Sequence, residues 1–118
     1  HVMVQFYVNQ EKHELDAQLY QRSGDMFLGV PFNIASYSLF THMLARECGL
    51  EVGKFIHSLG DFHIYEEHFD QVNTQLTRKP KHLASLEFKT KNFFKYKVSD
   101  FSLINYKYHP KIEALMNV

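Results

Sequence analysis

A chain of 118 residues amounts to one domain or part of one. Its 13 basic and 13 acidic residues cancel, so no net field directs it to nucleic acid or to a membrane surface, and no apolar run approaches the ~20 residues of a membrane-spanning helix. The single cysteine, Cys48, excludes an internal disulfide and fits a reducing, cytoplasmic compartment, while 11 Phe and 7 Tyr supply the apolar surface for a real core.

Residues 2–8 alternate, with Val2, Val4, Phe6 and Val8 on one face and Met3, Gln5 and Tyr7 on the other, which predicts a strand. The polar run 9–13 reads as a turn. Residues 14–23 alternate again, Leu15, Ala17 and Leu19 opposite Asp16, Gln18, Tyr20 and Arg22, and complete a hairpin with a long loop. Gly24 and Pro31 then bracket a short apolar turn. Pro31 suits the first turn of a helix, where its missing N–H costs nothing, and the helix is expected to begin near Asn33. Residues 34–48 are apolar nearly all round, which predicts a buried helix with Gly49 as its C-terminal cap. A strand is predicted over 54–59, broken by Gly60-Asp61. Tyr65, Phe69, Val72 and Leu76 recur at i, i+4, i+7 and i+11, an amphipathic helix that Pro80 ends. Residues 83–89 and 101–106 are two further strand candidates, joined by a polar and aromatic connection over 92–99. No repeat or domain boundary is visible, and the expected class is α+β, a mixed sheet packed on long helices.

Four groups of residues carry candidate chemistry. Arg22-Ser23 combines a fixed fork of N–H donors with a hydroxyl, a set that suits phosphate, although Arg22 could equally pair with Asp16 or Asp25. Asn33 offers one acceptor and one donor group to a ring edge, as uracil requires; the same residue near a helix start often caps its own backbone. His63 and Tyr65, two apart on an extended segment, point the same way and can hold a sugar hydroxyl or satisfy each other. Asp25 is a candidate ligand or cap, and Gly29 a place where backbone can approach a ligand closely. The eight histidines show no metal-ligand spacing, and no metal is expected. His42 is read as a satisfied core histidine and Cys48 as an inert core thiol.

The run Gln18-Leu19-Tyr20-Gln21-Arg22-Ser23-Gly24-Asp25-Met26-Phe27-Leu28-Gly29-Val30-Pro31-Phe32-Asn33-Ile34-Ala35-Ser36-Tyr37 resembles the signature of the thymidylate synthase family, and the likeness extends from His1 to Val118. The resemblance implies a reductive methylation of dUMP to dTMP with 5,10-methylenetetrahydrofolate as donor of carbon and hydride. It implies that Gln21, Arg22, Ser23, Asn33, His63 and Tyr65 hold dUMP: Arg22-Ser23 on the phosphate, Asn33 on the uracil, His63 and Tyr65 on the 3′-hydroxyl. Asp25, Gly29, Asn117 and Val118 are implied for the folate, and Arg22, Asn33 and His1 for catalysis. In the family a Pro-Cys dipeptide precedes the His that opens this strand, so residues 1–118 are expected to be the C-terminal portion of one catalytic domain, with the nucleophilic Cys outside them and no activity alone. Asn117 departs from the usual Ala near the tail. A homodimer with shared active sites, joined through a sheet face near Gln18 and Tyr20, is also implied. Two alternatives remain, a pyrimidine nucleotide hydroxymethylase of the same superfamily, against which Asn33 argues, and a non-catalytic dimerisation fragment. RNA binding, linked to the family, has no basic stripe to support it.

Overall fold

The computed structural model describes residues 3–116 and divides into two compact units, His1–Glu66 and Glu67–Val118. The calls on His1, Asn117 and Val118 fall outside the described residues.

The first unit is built on a three-stranded mixed sheet in the order β1 (Met3–Asn9), β2 (Glu14–Gln21), β4 (Glu51–Leu59). β1 and β2 form the expected antiparallel hairpin, with Met3 opposite Tyr20 and Asn9 opposite Glu14. β4 runs parallel to β2, which a short turn cannot achieve; the chain crosses over through α1 (Gly29–Glu47). The strand parity of β2 decides the packing. Leu15, Ala17 and Leu19 are buried, as the alternation predicted, and the same parity carries Gln21 to the buried side at the end of the strand. Phe6 reaches α1 edge-on, its ring 5.8 Å from that of Phe40.

β4 is three residues longer than expected at its start because it carries a bulge. Leu15 pairs with Val52 but Ala17 with Phe55, so Gly53 and Lys54 together oppose Asp16. The Asp16 carboxylate accepts the Lys54 N–H at 2.6 Å, satisfying the donor that the bulge would strand.

α1 begins at Gly29, one turn before Asn33, and Pro31 lies in its first turn as anticipated. It is not a buried helix: only Val30, Thr41 and Ala45 are buried, and Phe32 and Ile34 are exposed. An all-apolar surface says that a helix has partners on several sides, not that one unit supplies them all. The helix ends as predicted. Gly49 takes φ of 66° and donates to the Arg46 carbonyl, while Leu50 N–H reaches back to Ala45, a Schellman-type closure. Cys48, expected in the core, is exposed at this end, and His42 is only half-buried.

A 3-10 turn, Glu66–His68, spans the boundary between the units and leads into α2 (Phe69–Leu76) of the second, so the expected helix starts late and is only eight residues long. His68 is buried and its Nε2 donates to the Leu115 carbonyl at 2.7 Å. Arg78 likewise reaches the Pro110 carbonyl (2.7 Å) and His109 the Lys79 carbonyl (2.8 Å), which pins the irregular segment 109–115 antiparallel to α2. β6 (Ser85–Phe88) and β7 (Phe101–Ile104) pair antiparallel, both shorter than predicted. Phe88, Tyr96 and Phe101 cluster between them with ring centroids 5.2–5.7 Å apart.

Candidate functional site

The sequence-predicted residues meet where two loops of the first unit zip together. Two short parallel strands, β3 (Gly24–Asp25) and β5 (Phe62–His63), place Gly24 beside Phe62 and Asp25 beside His63. Gly60 N–H donates to the Gln21 carbonyl (2.8 Å), Gly24 N–H to Asp61 (3.0 Å) and Met26 N–H to His63 (2.9 Å). Residues separated by about forty positions thereby form one band. It carries Arg22-Ser23, Asp25, His63 and Tyr65.

Within that band Ser23 adopts φ of 51°, a left-handed conformation uncommon outside glycine. Its N–H donates to the Asp61 carboxylate at 3.0 Å. That bond, and to a smaller degree the Arg22 charge, hold the Asp61 carboxyl below its usual range. Asp61 therefore shapes the turn that presents Arg22 and the Ser23 hydroxyl. Among the described residues Arg22 forms no ion pair with Asp16 or Asp25. Asp16 serves the bulge, and Asp25 accepts the N–H groups of Phe27 (3.2 Å) and Leu28 (3.3 Å) on one oxygen. Asp25 thus does cap the turn ahead of α1, and its second oxygen remains as an acceptor.

Asn33 does not cap its helix. It lies in the second turn of α1, half-buried, and its Oδ1 accepts from Gln21 Nε2 at 2.9 Å. Gln21 is only 5% exposed, and its Oε1 lies 2.9 Å from His57 Nε2 on β4. Three side chains from β2, α1 and β4 thus form a continuous hydrogen-bonded chain, His57–Gln21–Asn33. Burial lowers the His57 pKa from its ordinary value, so the ring is neutral at neutral pH. The Cβ of any side chain at position 29 would stand 3.4 Å from Asp25 Cβ and 3.9 Å from Asn33 Oδ1; glycine keeps that space open. The His63 and Tyr65 rings meet edge to face at 4.8 Å, so the two do point the same way.

Nothing in the sequence assigned a role to Asp61, and His57 counted only among the eight histidines without metal-ligand spacing. A signal for His57 existed: Phe55, His57 and Leu59 alternate on the half-buried side of β4. Asp61 had none, since its partner is 38 positions away. Among the described residues no group of three or more His, Cys, Asp or Glu is placed to hold a metal ion. The surface lined by Lys91, Asn92, Phe94 and Tyr96 belongs to the second unit and includes no predicted site residue. No helix among the described residues is long and apolar enough to cross a membrane.

The first unit, a mixed α+β layer, thus brings an Arg-Ser turn and a His-Tyr pair onto one band, with the Asn33 amide held by Gln21 on the helix that follows. The family model described as thymidylate synthase matches residues 1–118, and the chain belongs to that family. It is 58% identical over 116 residues to the thymidylate synthase of Vesicomyosocius okutanii subsp. Calyptogena okutanii, an alignment covering 97% of this chain and 43% of that protein. It is 54% identical over 120 residues to the thymidylate synthase of Francisella philomiragia subsp. philomiragia, covering 100% of this chain and 43% of that protein. The chain therefore spans about two-fifths of the length of these curated relatives.

Proposed function

We propose that the protein carrying this chain methylates deoxyuridylate to thymidylate with 5,10-methylenetetrahydrofolate, and that these residues form most of its nucleotide cradle. The observation that carries the reading is the zipped band of residues 21–26 and 60–63. It sets Arg22-Ser23, Asp25 and His63 along one line beside an Asn amide whose orientation is held by Gln21, which supports a reading of them as phosphate, folate and sugar contacts. Arg22 and the Ser23 hydroxyl bind the phosphate. His63 and Tyr65 take the 3′-hydroxyl. Asn33 donates to uracil O4 and accepts from N3–H, and its donor stabilises charge that develops on O4.

The folate, which supplies the one-carbon unit and a hydride, is held by the free Asp25 oxygen. Gly29 borders Asp25 and the Asn33 amide, since a Cβ there would come into van der Waals contact with Asp25 Cβ (3.4 Å) and Asn33 Oδ1 (3.9 Å). Asn117 and Val118 are proposed as folate-binding residues and His1 as a catalytic one on family membership alone. The attacking thiol is not Cys48. Cys48 sits 15 residues beyond Asn33 in the chain, roughly 22 Å away along α1 at 1.5 Å per residue. The nucleophile is proposed to come from outside residues 1–118, and these residues alone to be inactive. The protein is proposed to be a cytoplasmic homodimer that pairs through the outer face of the sheet. There Met3, Tyr7, Tyr20 and Ile56 are exposed together, an apolar area that a lone copy would leave in water.

The test is calorimetric binding of deoxyuridylate and of deoxyuridine to the protein and its Arg22→Ala variant. The nucleotide should lose ~10- to 100-fold in affinity, as expected for one charge-assisted contact, and the nucleoside little. Equal losses for both ligands would make Arg22 a structural residue and overturn the phosphate assignment.

A further inference from the structure

We propose that His57 is a positioning residue that sets the direction of the His57–Gln21–Asn33 hydrogen-bond chain, and through it which atom of the Asn33 amide meets each position of the bound base.

A chain of two amides ending on an imidazole has two self-consistent directions. In one, His57 Nε2–H donates to Gln21 Oε1, and Gln21 Nε2 donates to Asn33 Oδ1. In the other every bond reverses: Asn33 Nδ2 donates to Gln21 Oε1, and Gln21 Nε2 donates to a bare His57 Nε2. The heavy atoms barely move between the two, so packing cannot choose. The amides cannot choose either, because each carries both a donor and an acceptor. The imidazole is the one member that presents a single role at its facing nitrogen, so the direction of the chain is tied to its tautomer. The observed arrangement is the first: Gln21 Nε2 faces Asn33 Oδ1 at 2.9 Å, and Gln21 Oε1 faces His57 Nε2 at 2.9 Å. An oxygen cannot donate, so His57 must carry its proton on Nε2.

The consequence reaches the ligand. With Oδ1 fixed toward Gln21, the Asn33 donor takes the other side of the amide, which matches O4 and N3–H of uracil. Reversal exchanges the two sides and matches the amino group and bare N3 of cytosine. His57 is therefore a determinant of base selectivity that touches no ligand. Gln21 is 5% exposed, so water does not readily replace either partner in holding its direction. The inference rests on the reading of Asn33 as the base contact.

The experiment compares dissociation constants for deoxyuridylate and deoxycytidylate in the protein carrying this chain and in four variants. His57→Phe removes the donor and should lower the selectivity for uracil ~10-fold, the scale of one misdirected hydrogen bond. His57→Trp restores a ring nitrogen that only donates, and should recover most of that selectivity. Asn33→Asp should change the ratio directly, and Gln21→Leu should lower it as His57→Phe does. Nitrogen-15 NMR of the wild-type protein should show His57 protonated at Nε2 and bare at Nδ1. A bare Nε2 in the wild type would overturn the proposal without any variant. So would an unchanged ratio in His57→Phe when Asn33→Asp shifts it, since the base reading would then stand without the relay. An unchanged ratio in both would instead overturn the base reading on which the inference depends.

Discussion

Replacing Gln21 by Met tests whether the centre of the site is held by hydrogen bonds or merely filled. Met nearly matches Gln in length and volume, so no large cavity is created, but both bonds made at 2.9 Å disappear. Two bonds at a net worth of ~1 kcal/mol each would cost ~2 kcal/mol. Asn33 and His57 are half-buried rather than sealed, so their stranded groups regain some water, and the thioether adds apolar burial. The expected loss is therefore about 1–1.5 kcal/mol in unfolding free energy. Urea denaturation at pH 7.5 measures it, in a cycle with Asn33→Ala and the double variant. The Gln21–Asn33 coupling should be about 0.5–1.5 kcal/mol, the lower part of the span for directly bonded side chains. A neutral Gln21→Met with no coupling would refute the argument, because a buried amide that costs nothing to remove is not holding its neighbours.

Four further outcomes are expected. Leu19→Ala empties a site with no exposed surface between sheet and helix, and should cost ~2.5–4 kcal/mol by denaturation; less than 1 kcal/mol would mean that the core collapses freely around it. Gly53→Ala would drive a Cβ into the Asp16 carboxylate and to 3.1 Å from the Leu15 carbonyl, so the bulge must open, and the thermal midpoint should fall clearly below wild type. His42 and His57 both titrate below the ordinary 6.5, chiefly through burial, so the unfolded chain binds more protons. Their contribution is complete above pH 6.5 and is lost as pH falls through that value toward the lowered ones; the urea midpoint should drop between pH 7.5 and 5.5, and drop less in the His42→Gln/His57→Gln double variant. Ile56→Lys on the outer sheet face should shift the proposed homodimer toward monomer in sedimentation, and an unchanged mass would place the contact elsewhere.

The residues of this chain determine much by local rules. Period-two alternation was enough to place β1 and β2 and to say which side of β2 is buried, because strand parity is a covalent property of the backbone, whereas on β1 Val4 and Phe6 are half-buried and Val8 on the same face is exposed. Gly49 ended α1 for the reason glycine ends helices, and the Arg-Ser, Asn and His-Tyr motifs were identifiable from residue type and order. What local rules could not reach were contacts between distant segments. The β4 bulge depends on a carboxylate 38 positions away, and so does the turn at Ser23. The burial of α1 was overestimated because hydropathy records that a side chain needs cover, not where the cover lies. α2 was overextended because Tyr65 continues an apolar period while its ring is drawn to His63 instead. For Asn33 the sequence offered a cap or a base contact; the helix start one turn upstream removes the cap, and Gln21 from β2 holds its Oδ1. The direction of an amide is settled by its neighbours' protons, and only the tertiary structure brings those neighbours within 3 Å.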